Sequence, residues 1–354
     1  MSSQSPTETI PTNGSCITTV PGPNNYVPIY DCNALFMYNP SFGAAIFFAV
    51  VFGLSTLLHA YQARRYAKRF CWVIIMAGAW ETAGFSIRAA ATRDQTQLAL
   101  FMPEEMLILL APLWVNAFIY MLFGRMVYYY LPERKVWGFP ANRLAVVFVC
   151  MDIVSFLIQG AGGTIASGSQ NADASIVMVG IHVYMGGVGL QQLFILCFTA
   201  LLAKFHRRLL QIDHAHGLFE KSNWRPLIYA TYACLAFITI RIIYRLVQYS
   251  SGVESYIPTH EWFVYVFEAL PMALALWLLN SIHPGRFLVG DDSEFPPRPA
   301  DSHGVWWYLC CCWCCCWCCR RKREKKSNGD ELITAGERDT YNLTSVDRYR
   351  TEVV

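Results

Sequence analysis

Charge is scarce in this sequence. Asp, Glu, Lys and Arg make up 15% of its 354 residues, where a soluble domain carries about 25%. Hydrophobic residues make up 55%, and the net charge is only +3. A soluble globular domain of this length is therefore excluded, and a polytopic membrane protein is indicated. Residues 1–40 hold no Lys or Arg and no cleavable signal pattern. No Walker-type phosphate loop, HExxH or GxSxG is present, so no enzyme, cofactor or metal centre is indicated. The basic run at 320–326 lacks the context of a nucleic-acid site, and no nucleic-acid partner is expected.

What is present is apolar sequence in long runs. Stretches long enough to cross about 30 Å of hydrocarbon, at about 20 residues each, recur near 41–61, 70–91, 105–125, 143–164, 175–203, 226–249 and 262–282. The fold class is therefore all-α, with seven transmembrane helices. Three segments follow: a tail at 1–40, a seven-helix domain at 41–282 and a tail at 283–354. Lys and Arg alternate between the connections. The first has Arg64, Arg65, Lys68 and Arg69; the second has only Arg93; the third has Arg125, Arg134, Lys135 and Arg143; the fourth has none. The fifth has Lys204, Arg207, Arg208, Lys221 and Arg225; the sixth has none; the C-terminal tail has eleven. Positive charge stays cytoplasmic, which predicts an external N-terminus and a cytoplasmic C-terminus.

That topology sorts the modification signals. Asn13-Gly14-Ser15 becomes an external glycosylation sequon. Cys16 and Cys32 share the oxidising side, where their separation permits a bridge without requiring one. Eight of fourteen cysteines (Cys310, Cys311, Cys312, Cys314, Cys315, Cys316, Cys318 and Cys319) are crowded into "CCCWCCCWCC". Cytoplasmic thiols beside a membrane favour S-palmitoylation, with metal binding and a bare hydrophobic patch as the alternatives. The following Arg320–Lys326 run suits anionic inner-leaflet lipid. Sequon and acylation cluster together point to the plasma membrane.

Ionisable residues inside spans mark functional sites by default. Glu81 and Arg88 lie seven apart in span 2, as do Asp152 and Gln159 in span 4 and Glu261 and Glu268 at span 7. Such spacing keeps each pair on one helix face. Span 5 has His182, Gln191 and Gln192, and span 6 has Arg241, Arg245 and Gln248. Glu81, Asp152 and Glu268 balance Arg88, Arg241 and Arg245 in a polar belt, with Gln159 and Gln192. Glu104, Glu105 and Glu261 form an acidic outer rim. Each group also has a plainer reading as glue between helices, and His182 alone reads as a packed residue. The glycines of "QGAGGTIASG" and "GIHVYMGGVGLQQ" read as close helix contacts, or alternatively as ends that unwind beside a cavity.

The motifs "ETAGFSIRAA", "LLAPLWVNAFIYMLFGRM", "DIVSFLIQGAGG", "GGVGLQQ", "RIIYRLVQYSSG" and "EWFVYVFEALPM" resemble the fungal lipid-translocating exporter family. That is the seven-span family named for resistance to 7-aminocholesterol. The resemblance covers about residues 35–290. It implies a membrane protein linked to translocation of sphingoid long-chain bases, resistance to toxic amphiphiles and porphyrin uptake. The matching polar positions are Glu81, Arg88, Arg125, Asp152, Gln159, Gln192, Arg241, Arg245, Glu261 and Glu268. Gln248 stands where the family pattern implies an acid, and Glu268 where it implies Asp. Membrane lipids and amphipathic small molecules are thus the expected partners. The alternative is a seven-span lipid-sensing receptor or regulator. Against it, span 3 ends "FGRMVYYY" without the acid-Arg-Tyr of common receptors.

Overall fold

Ser41 is where the chain turns helical. Its hydroxyl accepts the Ala44 N–H at 3.4 Å, capping the first turn, and a run with no charge until Arg64 follows. The computed structural model describes residues 18–28, 31, 33–167, 174–216, 224–250 and 256–290. Asn13, Cys16, Cys32, the cysteine cluster and the basic run lie outside the described residues.

Seven helical segments among the described residues are long and apolar enough to cross a membrane. They are α1 Phe42–Arg65, α2 Trp72–Ala91, α3 Leu98–Tyr130, α4 Ala141–Ser167, α5 Ala174–His216, α6 Arg225–Ser250 and a composite α7. The seventh is built from Trp262–Val264, a π-helical Tyr265–Ala269 and Leu270–Ser281. Pro271 explains the wide turn. It has no N–H for the Phe267 carbonyl, and its ring crowds that carbonyl, so the ladder loosens just before it.

All seven expected spans are present, and two are longer than expected. At 33 and 43 residues, α3 and α5 run about 50 and 65 Å at 1.5 Å per residue. The end of α5 carries Lys204, Arg207 and Arg208. Arg208 bridges to Glu133 at 2.8 Å and Lys204 lies 4.4 Å from the Trp137 ring centroid. Both partners belong to the connection that holds the short hairpin Lys135–Val136 and Phe139–Pro140.

The helices bury one face and expose an equally apolar one. On α1, Phe48, Phe52, Ser55 and His59 are buried while Phe47, Val50, Leu54 and Leu57 are exposed. In water such a surface would drive aggregation; against lipid tails it costs nothing. Inside, Phe52 stacks on Phe85 at 5.4 Å and Phe48 on Tyr265 at 5.3 Å. Glycines bring α4 and α5 together. A Cβ on Gly162 would fall 2.3 Å from the Tyr184 nitrogen, and one on Gly180 2.5 Å from the Ala166 nitrogen. Of the two readings of these glycines, close approach is the one observed, since α4 stays helical to Ser167.

The segment before α1 is more than a loose tail. Asn39 Oδ1 accepts from Gln95 at 2.9 Å, Asn25 donates to Asp94 at 3.0 Å, and Phe36 meets Phe101 at 5.1 Å. It covers the end of the bundle formed by the α2–α3 connection. Within it, Asp31 accepts from the Thr19 hydroxyl at 2.6 Å and the Asn33 N–H at 2.8 Å. Those bonds hold its carboxyl below the ordinary carboxylate value, the Thr19 hydroxyl first.

Candidate functional site

The polar residues of the spans fall into separate clusters. The first lies under the N-terminal segment. Arg88 of α2 donates to Glu104 of α3 and to the Tyr38 hydroxyl, with Glu105 at 3.9 Å. The rings of Phe36, Tyr38 and Tyr265 surround its guanidinium at 5.7–6.0 Å from their centroids. Glu261 accepts from the Tyr265 hydroxyl and the Ser41 N–H, each at 2.9 Å. The acidic rim is thus corrected at one position. Glu104 is fully buried, while its neighbour Glu105 is 37% exposed. The reason is the guanidinium of α2, which draws in one carboxylate and leaves the next, 100° round the helix, outside. Burial pushes the Tyr38 hydroxyl up to about 12, so it stays a neutral phenol.

The second cluster lies on the π-helical turn. Glu268 accepts from Arg241 at 3.0 Å and from Arg245 Nε at 2.9 Å and its terminal nitrogen. Arg241 also donates to the Ile108 carbonyl at 3.3 Å. Glu81 of α2 is buried within electrostatic reach of both arginines, but its Oε2 has no hydrogen-bond partner. The two arginines are thus balanced by one bonded carboxylate and one that stands off. Arg88 is taken by Glu104 and not by Glu81, although the two share a helix face.

Asp152 forms the third cluster. It is 1% exposed, about 16 Å into α4. Its Oδ2 accepts from Asn116 at 2.9 Å and from the Tyr120 hydroxyl at 3.0 Å, both on α3. Its Oδ1 and the Oδ1 of Asn116 have no partner. Among the described residues no Lys, Arg or His pairs with it. The expected balance of three acids by three arginines is thus redistributed. Glu104 takes one arginine and Glu268 two, and Asp152 stands alone.

The fourth is an amide pair. Gln159 donates to Gln191 at 3.0 Å. Gln192, the expected member, is turned aside, and its Oε1 has no partner. Gly187 makes the pairing fit, because a Cβ there would lie 2.8 Å from Gln159 Cγ. Gln248 is buried with an unpartnered Oε1. Arg125 is held elsewhere, over the Phe70 ring at 4.0 Å, and His182 lies on an exposed face of α5 rather than packed. Sequence reasoning missed Asn116, Tyr120 and Tyr38, uncharged residues whose role depends on a partner in another helix. It also missed a polar strip between α1 and α7, described below.

A family model described as RTA1 like protein matches residues 74–291. The chain belongs to this family. Relatives of the RTA1-like chain include the Emericella nidulans protein named "Probable lipid transporter atnI", 42% identical over 80% of this chain and 76% of that protein. Protein RTA1 of Saccharomyces cerevisiae is 28% identical over 71% and 84%. The Sphingoid long-chain base transporter RSB1 of the same species is 24% identical over 71% and 73%. No solved structure matches. Family and helices together make the chain a seven-span, multi-pass membrane protein.

Proposed function

We propose that this RTA1-like protein translocates amphipathic lipids with a cationic head, of the sphingoid long-chain base kind, and so protects the cell from toxic amphiphiles. The names of its relatives support lipid transport as the broad activity. The observation that carries the finer reading is Asp152. A buried carboxylate without a cation is costly in a membrane, and here it also keeps an oxygen free of any donor. A primary ammonium supplies both the charge and the N–H. Between substrates, a proton can fill the same place.

Glu81 is less suited, because it lies within reach of the Arg241 and Arg245 charges. So is Glu268, because two guanidiniums occupy it. Arg88, paired with Glu104, holds the N-terminal segment through Tyr38 over one end of the bundle. The lipid tail stays in hydrocarbon against the exposed apolar faces while the head crosses inside.

The charge alternation supports an external N-terminus and a cytoplasmic tail. The tail would be anchored by acylation at Cys310–Cys319 and by anionic lipid at 320–326, in a plasma-membrane protein glycosylated at Asn13. The test is transbilayer movement in proteoliposomes holding the purified full chain. A fluorescent long-chain base is expected to move faster than in empty liposomes, and its N-acetylated, uncharged form is not. Equal rates with and without folded protein would overturn transport and favour a sensing role.

A further inference from the structure

The seam between α1 and α7 holds polar residues that the site above does not use. Ser55, His59 and Gln62 occupy one buried face of α1 opposite Leu276 and Asn280. His59 Nε2 lies 3.1 Å from the Leu276 carbonyl, Gln62 Nε2 donates to the Asn280 carbonyl at 2.9 Å, and Asn280 Nδ2 donates to the Ser55 hydroxyl at 2.7 Å and carbonyl at 3.3 Å. A backbone carbonyl only accepts. These contacts put a proton on His59 Nε2 and fix the orientation of both amides; a buried imidazole with no carboxylate among its contacts is held neutral, so its Nδ1 is a lone pair. What remains is three lone-pair atoms, His59 Nδ1, Gln62 Oε1 and Asn280 Oδ1. All are buried and none has a donor among the described residues.

Packing alone does not call for this. Three orphaned acceptors are expensive in hydrocarbon, and apolar side chains would fill the seam without that cost. The three lack donors, and a primary ammonium carries three N–H donors and no acceptor. Leu54 on α1 and Trp277 on α7, each next to a seam residue and about 100° round its helix, are exposed, so a tail can lie in lipid beside the seam.

We infer that the α1–α7 seam, through His59, Gln62 and Asn280, is a second binding site for a primary-amine amphiphile. This rests on the transport reading above and deepens it. Asp152 and the seam become two stations for one kind of head.

The test is binding stoichiometry from lipid nanodiscs by native mass spectrometry, with dodecylamine and N-acetyldodecylamine as probes. Wild type is expected to bind two amines per chain. Gln62→Leu and Asn280→Leu lose one, and Asp152→Asn loses the other. Should the leucine variants fail to fold, Gln62→Glu decides. It keeps the shape and adds a charge, so it should bind the amine about tenfold more tightly and leave the acetylated probe unchanged. Unaltered stoichiometry in folded leucine variants, or no gain in Gln62→Glu, overturns the seam site. If wild type binds two amines but moves no lipid, the seam stands and the transport reading falls.

Discussion

Glu268 and Asp152 are both buried acids, yet their removal should have unequal consequences for stability. Glu268→Gln keeps an oxygen that can accept a hydrogen bond but removes the charge shared by Arg241 and Arg245. A lost hydrogen bond between spans costs only about 0.6–1.7 kcal/mol. The larger loss is electrostatic, because two guanidiniums are left facing Glu81 alone. Breaking a buried pair costs about 3–5 kcal/mol, so a loss near 3 kcal/mol is expected, or about a hundredfold in the folding equilibrium. Asp152→Asn differs. Its remaining oxygen can still accept from Asn116 and Tyr120, and its new amide group replaces an oxygen that has no donor. That change should cost under about 1 kcal/mol. Unfolding in mixed micelles, followed by circular dichroism, measures both. Adding Arg245→Met to Glu268→Gln should recover part of the loss, since it removes one stranded charge. If Glu268→Gln falls within about 1 kcal/mol of wild type, or Asp152→Asn is the more damaging, the division into a structural and a functional acid is wrong.

Gly162→Leu should separate α4 from α5, because its Cβ would overlap the Tyr184 backbone. A loss of about 3 kcal/mol, together with a broken Gln159–Gln191 contact, is expected in the same unfolding assay. Pro271→Ala returns a donor to the Phe267 carbonyl and lets the π turn tighten. Glu268 then rotates by up to about 100°, and the variant should melt lower than wild type; equal melting temperatures would show that Pro271 does not set the turn. Asp31 has a lowered carboxyl value, so its contribution is present above the unfolded value of about 3.9 and is lost as pH falls through the folded one. The Thr19 and Asn33 backbone N–H groups both donate to the Asp31 carboxylate, so their exchange should gain extra acceleration at acid pH in wild type and none in Asp31→Asn.

Hydropathy and charge made the seven spans legible, because each helix must satisfy its own backbone and present an apolar surface. The ends were less so. At α5 the helix continues past its apolar run, where polar pairing such as Arg208–Glu133 replaces hydrophobicity. The buried polar residues of the spans were legible one by one but not as pairs. Spacing puts Glu81 and Arg88 on one face, yet the arginine reaches across to Glu104, a choice made by helix packing. Gln191 and Gln192 differ by one position, and only the approach of Gly187 selects the first. The α1–α7 seam carried a readable signal, since Ser55, His59 and Gln62 recur at helical spacing in an otherwise apolar span. They were missed because none is formally charged.

The central claim is that Asp152 holds the cationic head. The measurement that tests it most directly is the rate of long-chain-base movement in proteoliposomes, wild type beside Asp152→Asn, with protein content and melting temperature matched. The account predicts fast movement with wild type and a rate near that of empty liposomes for Asp152→Asn. A folded Asp152→Asn that moves the base as fast as wild type would contradict it.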